Sequence, residues 1–191
     1  ISHHEEHNLT AQVRRPEIFQ TLKAELDNLC RFIKYWTEKY PNIQFNIVAS
    51  NHNEHLDRFL DEARYIYSPH NYKLSLELAL MRCDGHNVLE KYVETNIGKR
   101  KNLKWLKRDE DFKIAGCQLA AHGDYGNNGA KGTIAGTEKA YKNIISGHAH
   151  SPKIIRDAWQ VGTMTKLKLS YNKCASSWLQ SSCLLFRNGN K

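Results

Sequence analysis

Three short apolar runs, residues 44–49 (QFNIVA), 113–121 (KIAGCQLAA) and 143–146 (NIIS), each stop at a polar cluster that contains histidine. The clusters are Ser50-Asn51-His52, His122-Gly123 and Gly147-His148-Ala149-His150. Runs this short and this apolar read as buried strands. In an open α/β sheet, ligands gather outside the carboxyl ends of the strands. The pattern therefore points to a fold whose strands carry an amide oxygen and several imidazoles to one crest. A neutral imidazole offers a lone pair to a transition metal. Two histidines at i and i+2 straddle a tight turn and can aim at one point or at two adjacent metals.

Between the runs the apolar period changes. Residues 16–40 read as the clearest helix, because Ile18, Phe19, Leu22, Leu26, Leu29, Cys30, Ile33 and Trp36 recur at three- and four-residue steps. Pro16 suits its first turn, and Pro41-Asn42 stops it. Residues 54–67 read as helical, with Leu56, Phe59, Leu60 and Ala63 on one side. Residues 74–81 and 88–93 read as helical too, broken around Asp84-Gly85. The Gly- and Asn-rich stretch 126–136 reads as a loop. Segments 153–160, 166–170 and 177–187 read as strands, increasingly antiparallel. Strand and helix alternate early and strands dominate late, which predicts one α/β domain over residues 1–191.

Composition narrows the function classes. An apolar content of 40% with four Trp and nine Tyr belongs to a globular chain. No apolar run approaches the roughly 18 residues of a membrane span. The five cysteines form no C-x-x-C pair, so neither a disulfide framework nor a zinc knuckle is expected, and Cys30 and Cys117 read as small core residues. A formal charge of +8 favours an acidic partner, nucleic acid ahead of a membrane surface. Residues 98–108 concentrate that charge. Lys99, Arg100, Lys101, Lys104, Lys107 and Arg108 would meet phosphates while Trp105 stacks on a base. The alternative is an amphipathic segment that buries Leu103, Trp105 and Leu106, with Asp109-Glu110-Asp111 offsetting half the charge.

The ordered set Asn-His, His-Gly and Gly-His-x-His resembles the calcineurin-like metallophosphoesterase superfamily, over roughly residues 2–186. The flanking text is most similar to bacteriophage versions: Ser2-His3-His4, His55-Leu56-Asp57-Arg58-Phe59, Asn128-Gly129-Ala130-Lys131-Gly132 and Val161-Gly162-Thr163. The resemblance implies a β-sandwich flanked by helices and two divalent metal ions, Mn first, with Fe, Zn or Ni also suited to imidazole ligands. It implies that Asn51, His122 and His148 ligate one metal and His150 the other, while His52 protonates the leaving oxygen. Two cations about 3.5–4 Å apart polarise a phosphoryl oxygen and lower the pKa of a bridging water. A nearby imidazole can protonate the departing alkoxide.

Members of that superfamily also carry Asp-x-His and Gly-Asp-x-x-Asp motifs, which this chain lacks. The chain opens on Ile1 and reads as the larger, C-terminal part of such a domain, with its N-terminal strands missing and an exposed core that favours self-association. His3, His4 and Lys131 are candidates for substrate contact. The expected activity is that of a phage nuclease hydrolysing DNA phosphodiesters in the host cytoplasm. The competing expectation is a non-catalytic fragment or subunit that binds nucleic acid or protein and keeps a vestigial metal site.

Overall fold

The computed structural model describes residues 21–108, 110–167 and 175–191. It is mixed α/β, in two compact units. One takes the described residues up to Ile47 together with Asn51–Trp105; the other takes Val48–Ser50 and Leu106–Lys191.

The first unit is built on helices. Helix α1 (Leu22–Lys39) buries Leu22, Leu26, Cys30 and Ile33 of the predicted stripe, but at its end Thr37 is buried and Trp36 is only half-buried, because 3.6 residues per turn carries the stripe past position 36. Residues 16–20 of the expected helix lie outside the described residues. Thr21 caps α1 by accepting from the Ala24 N–H at 3.2 Å. Strand β1 (Phe45–Val48) leads directly into helix α2 (Asn51–Asp61), so Asn51 and His52 form that helix's first turn rather than a loop before it. The helix expected over 54–67 stops at Asp61. Ala63 takes a left-handed φ of 51°, and a 3-10 turn (Arg64–Tyr67) follows, its Tyr65 ring set edge-on to Phe59.

Helices α3 (Tyr72–Cys83) and α4 (Val88–Ile97) complete the core. They add Leu78, Val88, Leu89, Tyr92 and Val93 to Leu56, Phe59 and Leu60. The break between them falls at Asp84-Gly85, as the sequence predicts, and Gly85 supplies a positive φ. Strand β2 (Leu103–Leu106) pairs with β1 in a two-stranded sheet. The basic segment is thus partly strand, its Leu103 and Trp105 packed against the helical core.

The second unit holds a five-stranded sheet in the order β3-β4-β5-β7-β6. The run expected as one strand over 113–121 is instead a hairpin, β3 (Lys113–Ile114) and β4 (Cys117–Gln118). Ala115 and Gly116 both have positive φ, the geometry of a two-residue turn whose twist suits antiparallel strands. Helix α5 (Ile134–Tyr141) crosses from β4 to the parallel strand β5 (Ile144–Ser146). Its start at Ile134 shortens the expected loop, and Thr133 caps it by accepting from the Gly136 N–H at 3.0 Å. Strands β6 (Lys153–Ile155) and β7 (Ala158–Gln160) form a hairpin whose second strand runs parallel to β5. The core here is Ala121, Ile134, Ile144 and Ala158, with Tyr141 and Ile155 against it.

No strand is assigned over 177–187. That segment is nonetheless stitched to the sheet's end, with the Leu179 N–H donating to the His150 carbonyl at 3.2 Å and the Thr163 N–H to Leu179 at 2.9 Å. Residues 166–167 are not strand, and 168–170 lie outside the described residues. Cys30 and Cys117 are buried thiols. Among the described residues, no helix is long and apolar enough to cross a membrane.

One buried side chain ties the first unit together. Asn71 accepts from the Leu22 N–H at 2.9 Å and donates to Ser68 Oγ at 2.9 Å. Asn71→Ala should lower the free energy of urea unfolding by about 1–3 kcal/mol, since the Leu22 amide would stay buried without its acceptor. A loss too small to measure would mean that water replaces the asparagine.

Candidate metal centre at the crest of the sheet

Strands β4, β5 and β7 run parallel, so their carboxyl ends share one edge of the second unit. His122 lies four residues beyond β4. The chain between bends at Ala120 and is held by the buried Gln118, whose Oε1 accepts from the N–H groups of Leu119 at 2.9 Å and Ala120 at 3.0 Å. At the end of β5, the Gly147 N–H donates to the His122 carbonyl at 3.0 Å. That bond sets the Gly-His-Ala-His turn beside the His-Gly turn.

The two imidazoles brought together are His122 and His148, with ring centroids 5.2 Å apart and planes at 80°. His148 and His150 both take left-handed backbone angles, φ 69° and 61°. This conformation costs a non-glycine residue of order 1–3 kcal/mol and recurs at functional turns. His150 is engaged differently. Its ring meets the edge of Trp178 with centroids 4.2 Å apart and planes at 89°.

Burial is the chief force on these rings. It pulls the His122 imidazole down to about 4; Asp124 pulls the other way, while His148, Arg108 and His150 deepen the fall. His150 is lowered as well, by burial and then by His148. Both rings are therefore neutral at neutral pH, the form a metal requires of a histidine.

The fit to a divalent cation is carried by donor type. His148 Nδ1 is buried with no hydrogen-bond partner among the described residues. Such an atom costs free energy unless something else engages it. Still, no three His, Cys, Asp or Glu side chains among the described residues are gathered closely enough to hold a metal ion.

Three residues beside the cluster escaped the sequence reading of the site. Arg108 is ion-paired with the buried Asp124 and lies over the Tyr125 ring, 5.1 Å from its centroid. Asp124 Oδ1, like His148 Nδ1, is buried without a hydrogen-bond partner among the described residues. Trp178 meets His150 from a segment 28 positions later. Only the Asp124 position, directly after His122-Gly123, was marked in the sequence by its adjacency.

The other candidates are each placed by their own surroundings. Asn51 and His52 belong to the first unit, where the His52 ring lies 5.5 Å from that of His55. Lys131 is exposed and pairs with Tyr125 in a β-bridge that closes the Gly-rich stretch into a hairpin. His3 and His4 lie outside the described residues. In the basic segment, Lys99, Arg100, Lys104 and Trp105 line a cavity of about 160 Å³ together with Glu90 and Glu94. Arg100 also pairs with Glu38 at 3.0 Å, and Lys101 is exposed. The carboxylates oppose a phosphate there, and the Trp105 ring packs on the core.

No family model matches the chain, and no solved structure matches it. The chain is similar to Protein A1 of Escherichia phage T5, with 33% identity over 154 residues. That match takes in 76% of this chain and 28% of the phage protein, so the chain spans less than a third of that relative's length.

Two measurements check this geometry. A Cβ on Gly132 would stand 2.0 Å from the Gly123 carbonyl oxygen, and the Gly132 N–H donates to the Asp124 carbonyl at 2.7 Å. Gly132→Ala should therefore destabilise the protein by about 1–3 kcal/mol on denaturant unfolding, with the crest displaced. Wild-type stability in that variant would overturn the packing.

The second is pH dependence. Because the folded-state His122 titrates below the ordinary value of about 6.5, the unfolded chain binds a proton that the folded chain refuses. Stability present above about pH 6.5 is then lost as pH falls toward 4. His122→Gln should lessen the drop in Tm between about pH 7 and pH 5; equal drops in the two proteins would contradict the burial of this ring.

Proposed function

We propose that this chain belongs to a divalent-metal-dependent phosphoesterase of the calcineurin-like type, a nuclease that hydrolyses DNA phosphodiester bonds in the cytoplasm of a phage-infected host. The observation that carries the reading is the His122–His148 pair at the carboxyl ends of parallel strands, with His122 kept unprotonated by burial and a buried His148 nitrogen that lacks a hydrogen-bond partner among the described residues. The similarity to a phage protein and the charge of +8 agree with it.

In this reading His122 and His148, with Asn51, hold one divalent ion, manganese first, and His150 contributes to a second. A bound ion would supply Lewis acidity at phosphorus and an activated water. His52 would donate the proton that the leaving oxygen needs. The burial that keeps His122 unprotonated keeps its lone pair available over a wide pH range. The superfamily's β-sandwich and its acidic ligands, supplied from outside this chain, belong to the same proposal.

A second reading is favoured by one observation: the imidazoles are not gathered into a three-ligand cluster among the described residues. This chain would then be a binding subunit for nucleic acid or protein that retains a vestigial metal site.

The two separate on one assay. With Mn²⁺, the full-length protein should hydrolyse a bis-aryl phosphate, and His148→Ala should reduce turnover at least 100-fold. A wild-type protein inactive with Mn²⁺, Fe²⁺, Zn²⁺ and Ni²⁺, or a His148→Ala variant with unchanged turnover, would reject the enzyme.

A further inference from the structure

Helix α1 carries two stripes where folding needs one. The stripe of Leu22, Leu26, Cys30, Ile33 and Thr37 is buried in the first unit. A second, made of Phe32, Tyr35, Trp36, Lys39 and Tyr40, lies about 120° around the axis at 100° per residue. Three of its four rings are open to solvent, with Trp36 half-buried between them: Phe32 is 55% exposed, Tyr35 53% and Tyr40 38%, and Ile43 just beyond is 52% exposed. Exposed large apolar side chains grouped on one face mark an interaction surface rather than a folding requirement.

The rings are organised among themselves. Phe32 and Trp36 are 6.1 Å apart by centroid, and Tyr35 stands edge-on to Trp36 at 5.3 Å. Trp36 and Tyr40 lie nearly parallel, 13° between planes at 5.7 Å. Lys39 Nζ sits 5.1 Å from the Tyr35 centroid, 5.6 Å from Trp36 and 5.5 Å from Tyr40, and donates to Tyr35 Oη at 2.8 Å. Arg31, one turn before Tyr35, and Lys39 flank the rings, and the one carboxylate in residues 28–40 is Glu38. That carboxylate is held by Arg100 at 3.0 Å.

We propose that this face of α1 binds single-stranded nucleic acid, with bases stacking on Phe32, Tyr35 and Tyr40 and phosphates meeting Lys39 and Arg31, the latter one turn before Tyr35. Flat rings interleaved with cations are what unpaired bases on a phosphate backbone reward. A duplex keeps its base faces stacked inside and offers the rings nothing. A second copy of this chain would set Lys39 and Arg31 against their own counterparts. An acidic peptide would answer the cations but leave the rings without flat partners. The choice of nucleic acid rests on the phosphoesterase reading for the class of substrate; the surface itself stands on the ring and charge geometry.

The test is fluorescence anisotropy of a labelled oligothymidylate with the full-length protein in EDTA, where metal-dependent cleavage is silent. Phe32→Ala/Tyr35→Ala should raise Kd at least tenfold. Phe32→Leu/Tyr35→Leu, which keeps the apolar bulk but removes the rings, should raise it to a similar degree. Lys39→Gln should lower the slope of log Kd against log salt by about one ion. Affinity within twofold of wild type in both double variants would overturn the proposal. So would intact oligonucleotide binding with lost self-association on sedimentation, which would make the face a contact between copies.

Hydrolysis of the bis-aryl phosphate separates this outcome from the fate of the enzyme reading. A protein that binds oligothymidylate through α1 but turns over no phosphoester would sink the nuclease and leave this surface standing. Loss of binding in the double variants with hydrolysis unchanged would support both.

Discussion

Parallel pairing of β5 with β4 on one side and β7 on the other is the constraint on which the candidate centre depends. Parallel strands share a carboxyl edge, and only that arrangement puts the turn after β5 beside the extension of β4. The bond from the Gly147 N–H to the His122 carbonyl is the last step of this pairing, made past the end of the ladder. Without it, two histidines 26 positions apart have no reason to meet. The crossover helix α5 makes the parallel geometry possible, because parallel neighbours need a long connection. Its packing over β5, β6 and β7 buries Ile134 and Ile144 in the same small core.

That crest is bought with unusual local terms. Two non-glycine residues sit in left-handed backbone conformations, a carboxylate and a guanidinium are withdrawn from water together, and the Gly123 and Gly132 backbones approach too closely for any side chain at Gly132. Each departs from what a strand–turn–helix connection would choose for stability alone. Concentration of such costs between Arg108 and His150 distinguishes this turn region from the first unit, whose core is ordinary aliphatic and aromatic packing around one buried asparagine. The first unit has its own departure at the surface: α1 spends rings on solvent that its core does not use. One unit thus gathers imidazoles, and the other displays aromatic rings and cations.

The legible parts of the fold were those written in a single period. The buried face of α1 follows from Leu22, Leu26, Cys30 and Ile33, and the break between α3 and α4 from Asp84-Gly85. Reading failed where two short elements shared one apolar run. The KIAGCQ stretch hides a hairpin, because Ala115 gives no warning that its φ turns positive. Helix α5 was partly masked by the Gly-rich text before it, since a helix of eight residues has too few turns to show a stripe. In the centre itself, the three histidines stood out by residue type and position after strands. Asp124 was marked only by its adjacency to His122-Gly123, and Arg108 and Trp178 not at all, since a charge or an indole far along the chain means nothing until the backbone brings it in.

By itself, then, the amino-acid order marked the histidines that follow the apolar runs and the buried face of α1, because side-chain type and local period are properties of neighbours along the chain. Only the tertiary structure decided that His122 faces His148 while His150 faces Trp178, that Trp105 turns to the core, and that the open rings belong to α1. Those outcomes follow from strand order, from which face of a helix is buried and from the direction of each turn, and these are set by contacts between residues far apart in sequence.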